Sequence, residues 1–317
     1  MLGRKIKKLK NWLQNRHNLQ LFRLRLAEDR QKTALYRAVL ISHELSATGA
    51  PLMLLAAAEA IMADGGSVRV LAYMDGPLRE KFEKLGIPVF YHPGFRDNAR
   101  LLNEFGGDCA YAVANTAVAY PAVSLLKGPR VLWWIHEAQV IEKDYIARFR
   151  QKKFRPDLEQ TLRQAGKLAV VSDYAREIAA KYNPRVEVIH PAVADVAKEQ
   201  GLQPKQPAEK IRFAMLGAVC EIKGQDVLLK AVRLLPAAYR AQAEFHIAGR
   251  RDGAFAEDLA AESGDLPEVV WEESRSRDNL WDFYRENDVI MVASRDESFS
   301  LVALEACMAS RPLIISS

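Results

Sequence analysis

The feature that most constrains this chain is an alternation of short apolar runs with helical stretches, repeated from residue 38 onward and broken once. The runs lie at 38–41, 68–72, 87–90, 109–114, 130–135 and 167–171, then at 211–216, 243–248, 269–271, 288–294 and 312–315. Helical stretches fall between them, at 52–62, 77–85, 225–235 and 278–286 among others. Runs this short and this continuously apolar fit parallel strands covered by helices on both faces. The break is 195–210, a polar stretch with Gly201, Pro204 and Pro207, which reads as a linker. The expected organisation is an α/β protein with two Rossmann-like domains, 38–194 and 211–317, facing each other across that linker. A segment of different character, 1–37, precedes them.

In such sheets ligands bind at the carboxyl ends of the strands, so the residues that follow each run are the candidates. After 288–294 comes Glu297-Ser298-Phe299-Ser300-Leu301-Val302-Ala303-Leu304-Glu305, two carboxylates eight positions apart around the start of an apolar helix. A helix start offers free N–H groups and a positive dipole end, which suit a phosphate. The carboxylates suit hydroxyl groups. A ligand carrying both is a nucleotide-sugar. After 211–216 comes Gly217-Ala218-Val219-Cys220-Glu221-Ile222-Lys223-Gly224, a glycine turn that brings a lysine to the start of the next helix. The same pattern describes an ordinary βα turn with an exposed lysine.

The first half offers His43-Glu44-Leu45-Ser46-Ala47-Thr48-Gly49-Ala50-Pro51, small residues at a helix start with a proline suited to the first turn. It fits an anion site and equally a well-capped βα unit. His136 and Ser172 each follow a strand. A lone histidine is commonly structural, and Ser172 reads as a helix N-cap. No Gly-x-Gly-x-x-Gly follows the first strand, which argues against a dinucleotide-linked oxidoreductase.

Charge is unevenly placed. The chain carries +5 overall, but residues 1–37 carry +9, and the remainder −4. Leu2, Ile6, Leu9 and Leu13 recur at helical spacing beside Trp12, so the segment reads as a basic amphipathic helix of the kind that lies on anionic membranes. A helix packed on its own domain is the other reading. Nucleic acid is not an expected partner: the body is acidic and carries no recognition motif. Cys109, Cys220 and Cys307 show neither zinc spacing nor a disulfide framework. No run is long and apolar enough to span a membrane and no secretory signal is apparent. The expected setting is cytoplasmic, at the inner membrane face.

Together these motifs resemble the family 4 retaining glycosyltransferases, which have the GT-B fold. The resemblance covers about residues 38–317 and rests on the Glu297…Glu305 element, the Gly217…Lys223-Gly224 loop and the His43…Pro51 opening. It implies a hexose moved from a nucleotide diphosphate sugar to a saccharide or lipid-linked acceptor, in cell-surface polysaccharide synthesis. It implies roles too: Glu297 at the sugar hydroxyls, Glu305 at the ribose, and backbone N–H groups near Ser298, Phe299, Ser300 and Leu301 at the diphosphate. Lys223 would neutralise the leaving group, His136 would approach the sugar, and Gly49 and Ala50 the donor phosphate or acceptor. No metal or other cofactor is implied, since lysine and helix dipole supply the positive charge. Ala218 stands where the family often has arginine, and Ser298 and Ser300 where it often has glycine. Family members usually continue past residue 316, so the resemblance implies a second domain that is incomplete here. A non-catalytic nucleotide- or glycan-binding module of the same fold, or an inactive fragment, is the alternative.

Overall fold

A computed structural model describes residues 2–142, 157–193, 201, 209–275 and 279–316, with side chains from Asn15 onward except Arg16 and Glu142. The chain divides into two compact units, Met1–Ala192 and Val193–Ser317. The expected linker at 195–210 lies mostly outside the described residues.

Among its described residues unit 1 has seven strands: β1 (Arg37–Ser42), β2 (Ser67–Ala72), β3 (Val89–Tyr91), β4 (Tyr111–Asn115), β5 (Arg130–Ile135), β6 (Lys167–Val170) and β7 (Glu187–Val188). Its helices are α1 (Leu2–Arg30), α2 (Gly49–Ala63), α3 (Leu78–Lys84), α4 (Ala99–Gly106), α5 (Tyr120–Leu125), α6 (Ala138–Glu142), α7 (Leu158–Gln164) and α8 (Asp173–Ala179). The strand order is β3-β2-β1-β4-β5-β6-β7, with every pairing parallel. Unit 2 has β8 (Ile211–Leu216), β9 (Ala243–Ala248), β10 (Val269–Glu272), β11 (Val289–Val292) and β12 (Leu313–Ile315) in the order β10-β9-β8-β11-β12, again parallel. Its helices are α9 (Gln225–Leu234), α10 (Ala237–Arg240), α11 (Ala254–Glu262), α12 (Leu280–Glu286) and α13 (Leu301–Met308). In each sheet the order reverses once, between β1 and β4 and between β8 and β11. Those are the positions where an open parallel sheet leaves a crevice at its carboxyl edge.

The strands sort their side chains by the two-residue period of an extended chain. In β1, Val39 and Ile41 join a core that includes Leu71, Phe90 and Phe105, whereas Leu40 joins Leu54, Ala58 and Phe82 on the opposite face. Both faces are thus apolar, which is why the run reads as continuously hydrophobic.

Residues 1–37 do not form a free arm, because the second half of α1 is built into unit 1. Phe22 and Leu26, one helical turn apart, are 6% and 2% exposed, and the Phe22 ring meets Phe90 edge-on at 5.6 Å. Asp29 accepts from the buried Arg69 of β2, at 3.0 Å to Nε and 2.9 Å to Nη2. Arg69 also donates to Asp108 and to the Phe105 carbonyl, both at 2.7 Å, so the buried guanidinium is held from three sides. Arg23 pairs with Glu104, Arg25 with Glu83 and Arg30 with Asp108. Part of the basic excess is therefore answered inside the unit. The side chains of Leu2, Ile6, Leu9, Trp12 and Leu13 lie outside the described set. Among the described residues, no helix is long and apolar enough to cross a membrane.

Candidate functional site

Two loops meet at the crevice of unit 2. The first, after β8, runs from Gly217 to Gly224; the second, after β11, runs from Ala293 to Ser300. Gly224 has φ +74°, and a Cβ placed on it would stand 2.0 Å from the Ala293 carbonyl oxygen. Only glycine permits both the backbone angle and the approach. The Arg295 N–H donates to the Ile222 carbonyl at 2.7 Å, and the Arg295 guanidinium spans both Asp226 oxygens at 2.8 and 2.7 Å. That arginine, with Lys230 beside it, holds the Asp226 carboxyl down at about 2. The Gln225 side chain, 1% exposed, donates to the Ala218 carbonyl at 3.1 Å and accepts from the Cys220 N–H at 3.4 Å, stapling the first loop from within.

This scaffold brings Lys223 and Glu297 into contact. Lys223 Nζ donates to Glu297 Oε2 at 2.6 Å, and Ser294 Oγ donates to the same oxygen at 3.2 Å. The two residues are 74 positions apart in sequence. Ser300 is the N-cap of α13, its Oγ accepting from the Ala303 N–H at 3.2 Å. Ser298, Phe299 and Leu301 are half-buried around that helix start. Gly217 closes β8, donating to the Ala248 carbonyl at 2.9 Å. Glu305 lies on α13 at 3% exposure and accepts from the Tyr284 hydroxyl at 2.8 Å. The two glutamates therefore occupy different environments, one paired with a lysine and one sunk against a phenol.

In unit 1 the loops after β1, β4 and β5 are joined in a row. Asn115, fully buried, donates through Nδ2 to the Ala50 carbonyl at 2.9 Å, fixing the Gly49-Ala50 start of α2. Thr116 has φ +74°, a strained angle for a non-glycine residue, and its Oγ1 lies 3.2 Å from His43 Nδ1. The next N–H, of Ala117, donates to Glu137 at 3.1 Å. Burial pushes the Glu137 carboxyl up, against the pull of backbone N–H groups from Ala117, His136 and Glu137 itself. His136 follows β5, its ring 4.6 Å from Trp134, and its Nε2 is buried with no hydrogen-bond partner. Burial lowers its pKa to about 4, so the imidazole is neutral at physiological pH. Ser172 is the N-cap of α8, accepting from the Ala175 N–H at 3.2 Å.

Sequence reasoning missed Asn115, Thr116, Glu137, Asp226, Ser294, Arg295 and Tyr284. Glu137 and Arg295 adjoin residues it singled out. Tyr284 carried no signal, because an aromatic on an apolar helix reads as core.

Two parallel, doubly wound units, the second with a lysine–glutamate pair at its strand-order reversal, have the architecture of the GT-B glycosyltransferases. A family model described as glycosyl-transferase family 4 matches residues 36–193, and one described as glycosyl transferases group 1 matches 197–317. The chain belongs to glycosyltransferase family 4. It is similar to the D-inositol 3-phosphate glycosyltransferase of Mycolicibacterium gilvum, 30% identical over 176 residues, 50% of this chain and 38% of that protein. The corresponding enzyme of Mycolicibacterium vanbaalenii is 33% identical over 154 residues, 42% of this chain and 33% of that one. The chain thus matches well under half the length of these relatives. Among solved structures, HepE of Anabaena in complex with UDP-glucose superposes with a TM-score of 0.69 at 16% identity, covering 88% of this chain and 80% of that one. WaaG, a glycosyltransferase involved in lipopolysaccharide biosynthesis, superposes at 0.59 with 16% identity, covering 87% and 80%. At those identities the likeness concerns the fold.

Proposed function

We propose that the protein transfers a hexose, with retained configuration, from a nucleotide diphosphate sugar to a saccharide or lipid-linked acceptor in cell-surface polysaccharide synthesis. The observation that carries this reading is the Lys223–Glu297 contact of 2.6 Å at the unit 2 crevice, with Glu305 eight residues on. Lys223 exchanges Glu297 for the donor diphosphate and neutralises the charge that grows on the leaving group. Glu297, released, accepts hydrogen bonds from sugar hydroxyls. Backbone N–H groups at Ser298, Phe299, Ser300 and Leu301 meet the phosphates, and Glu305 accepts from the ribose. Gly217 lets the first loop lie close to the donor. No metal or other cofactor is required in this scheme, because Lys223 and the start of α13 supply the positive charge.

In unit 1, His136 and the Gly49-Ala50 loop serve the sugar and the acceptor. A neutral imidazole exchanges hydrogen bonds with a sugar hydroxyl without setting a second positive charge beside an electron-poor anomeric carbon. The lysines of the first half of α1 meet an anionic membrane surface, and the enzyme works at the cytoplasmic face. The relatives' acceptor, an inositol phosphate by their names, is a further candidate.

The test is turnover with UDP- and GDP-hexoses. Glu297→Ala and Lys223→Ala each lower it tenfold or more, about 1.4 kcal/mol of barrier. Wild-type rates in both variants sink the assignment. Nucleotide binding without any sugar release marks a binding module instead.

A further inference from the structure

We propose that Tyr284 is a positioning residue for the nucleotide: its hydroxyl fixes the carboxylate of Glu305 in the orientation that meets the ribose. This rests on the reading of Glu305 given above. Tyr284 lies on α12, fully buried, and donates to Glu305 Oε2 at 2.8 Å, with the Val302 carbonyl 3.5 Å away. Its own carbonyl accepts from Arg311 Nε at 2.6 Å, and Arg311 is 5% exposed. Tyr284 therefore has its ring in contact with Trp281 and Phe283 and its backbone tied to the loop between α13 and β12. A side chain held at both ends cannot follow Glu305 if that carboxylate turns. The carboxylate must turn to it.

The chemistry of the donor matters as much as its place. Glu297 is paired with an ammonium that cancels its charge. Glu305 accepts from a neutral hydroxyl, which orients Oε2 and sets how the carboxyl group meets ribose hydroxyls. Removing that hydroxyl leaves a buried carboxylate oxygen one donor short, so the carboxylate turns toward other donors and away from the diol.

Calorimetry with UDP and GDP, and with the 2′,3′-dideoxy form of whichever binds, tests this. In the wild type the dideoxy form binds about tenfold more weakly, the scale of a hydrogen bond to a charged group. Tyr284→Phe keeps the ring, weakens the ribo form by about the same factor and leaves the dideoxy form unchanged, so the ratio falls toward one. Glu305→Gln, approached from the other partner, gives a ratio near one that Tyr284→Phe does not lower further. In turnover, Tyr284→Phe raises the donor KM and leaves kcat nearly unchanged. A wild-type ratio retained in Tyr284→Phe overturns the proposal alone. Equal affinity of the wild type for both forms overturns the ribose reading of Glu305, and the proposal with it.

Discussion

At the scale of single residues, burial rather than charge pairing sets the titration of His136 and Glu137. His136 titrates at about 4 in the folded protein, against 6.5 for an ordinary histidine. Between those values the unfolded chain holds the proton and the folded protein does not, so stability rises with pH across the window and is at its lowest below it. The size is about 3 kcal/mol. Glu137 runs the other way, since its raised pKa makes stability fall as pH climbs above 4.5. The two overlap in the wild type and separate in a variant. Urea melts of His136→Gln between pH 4 and 7 are expected to lose the rising component and keep the falling one. An unchanged profile would show that the fold does not lower the pKa of His136. The opposed pair also has a local meaning: Glu137 gathers backbone N–H groups from two loops, which fixes the segment that carries His136.

At the scale of elements, the βα loops of unit 2 do the arranging. Gly224 allows the turn before α9 to press on the carbonyl of Ala293, and Arg295 of the second loop donates to Glu221 of the first and to Asp226 on α9. Gly224→Ala forces a Cβ into that carbonyl and into a left-handed backbone, so a loss of about 2 kcal/mol or more is expected. Thermal unfolding measures it, with donor affinity falling in parallel because Lys223 shifts with the loop. A melting temperature equal to the wild type's would mean the loops are not in contact. Much of this was legible in the sequence. Glycine, lysine and the two glutamates stand out because their types are rare in apolar surroundings, and strand ends tell where they fall. What was not legible is register. Nothing local says that Arg295 reaches Asp226, that Gln225 folds back on Ala218, or that Tyr284 ends beneath Glu305, because those contacts depend on which strands become neighbours. The same ignorance left open whether the second half of α1 packs on its own unit. Phe22, Leu26 and Asp29 belong to the core, but their partners Phe90 and Arg69 lie dozens of positions away.

At the scale of the molecule, α1 serves two ends differently. Its second half is held by Phe22, Leu26 and the Asp29–Arg69 bond, whereas Lys5, Lys7, Lys8 and Lys10 lie in its first half. Changing those four lysines to glutamine is therefore expected to leave the melting temperature of unit 1 intact. Binding to vesicles containing anionic lipid should drop tenfold or more, on the order of 1 kcal/mol per charge near the surface. Sedimentation with vesicles decides, and undiminished binding would remove the membrane from the proposed function. The Lys223–Glu297 pair has a consequence of its own. An empty crevice with a bare lysine would attract any stray anion. Here the cation already has a resident rival, so an incoming group must outbid a carboxylate held at 2.6 Å. On the proposed function, singly charged anions would gain little by the exchange, whereas a diphosphate would bring enough charge to complete it and would free the glutamate for the sugar that arrives with it.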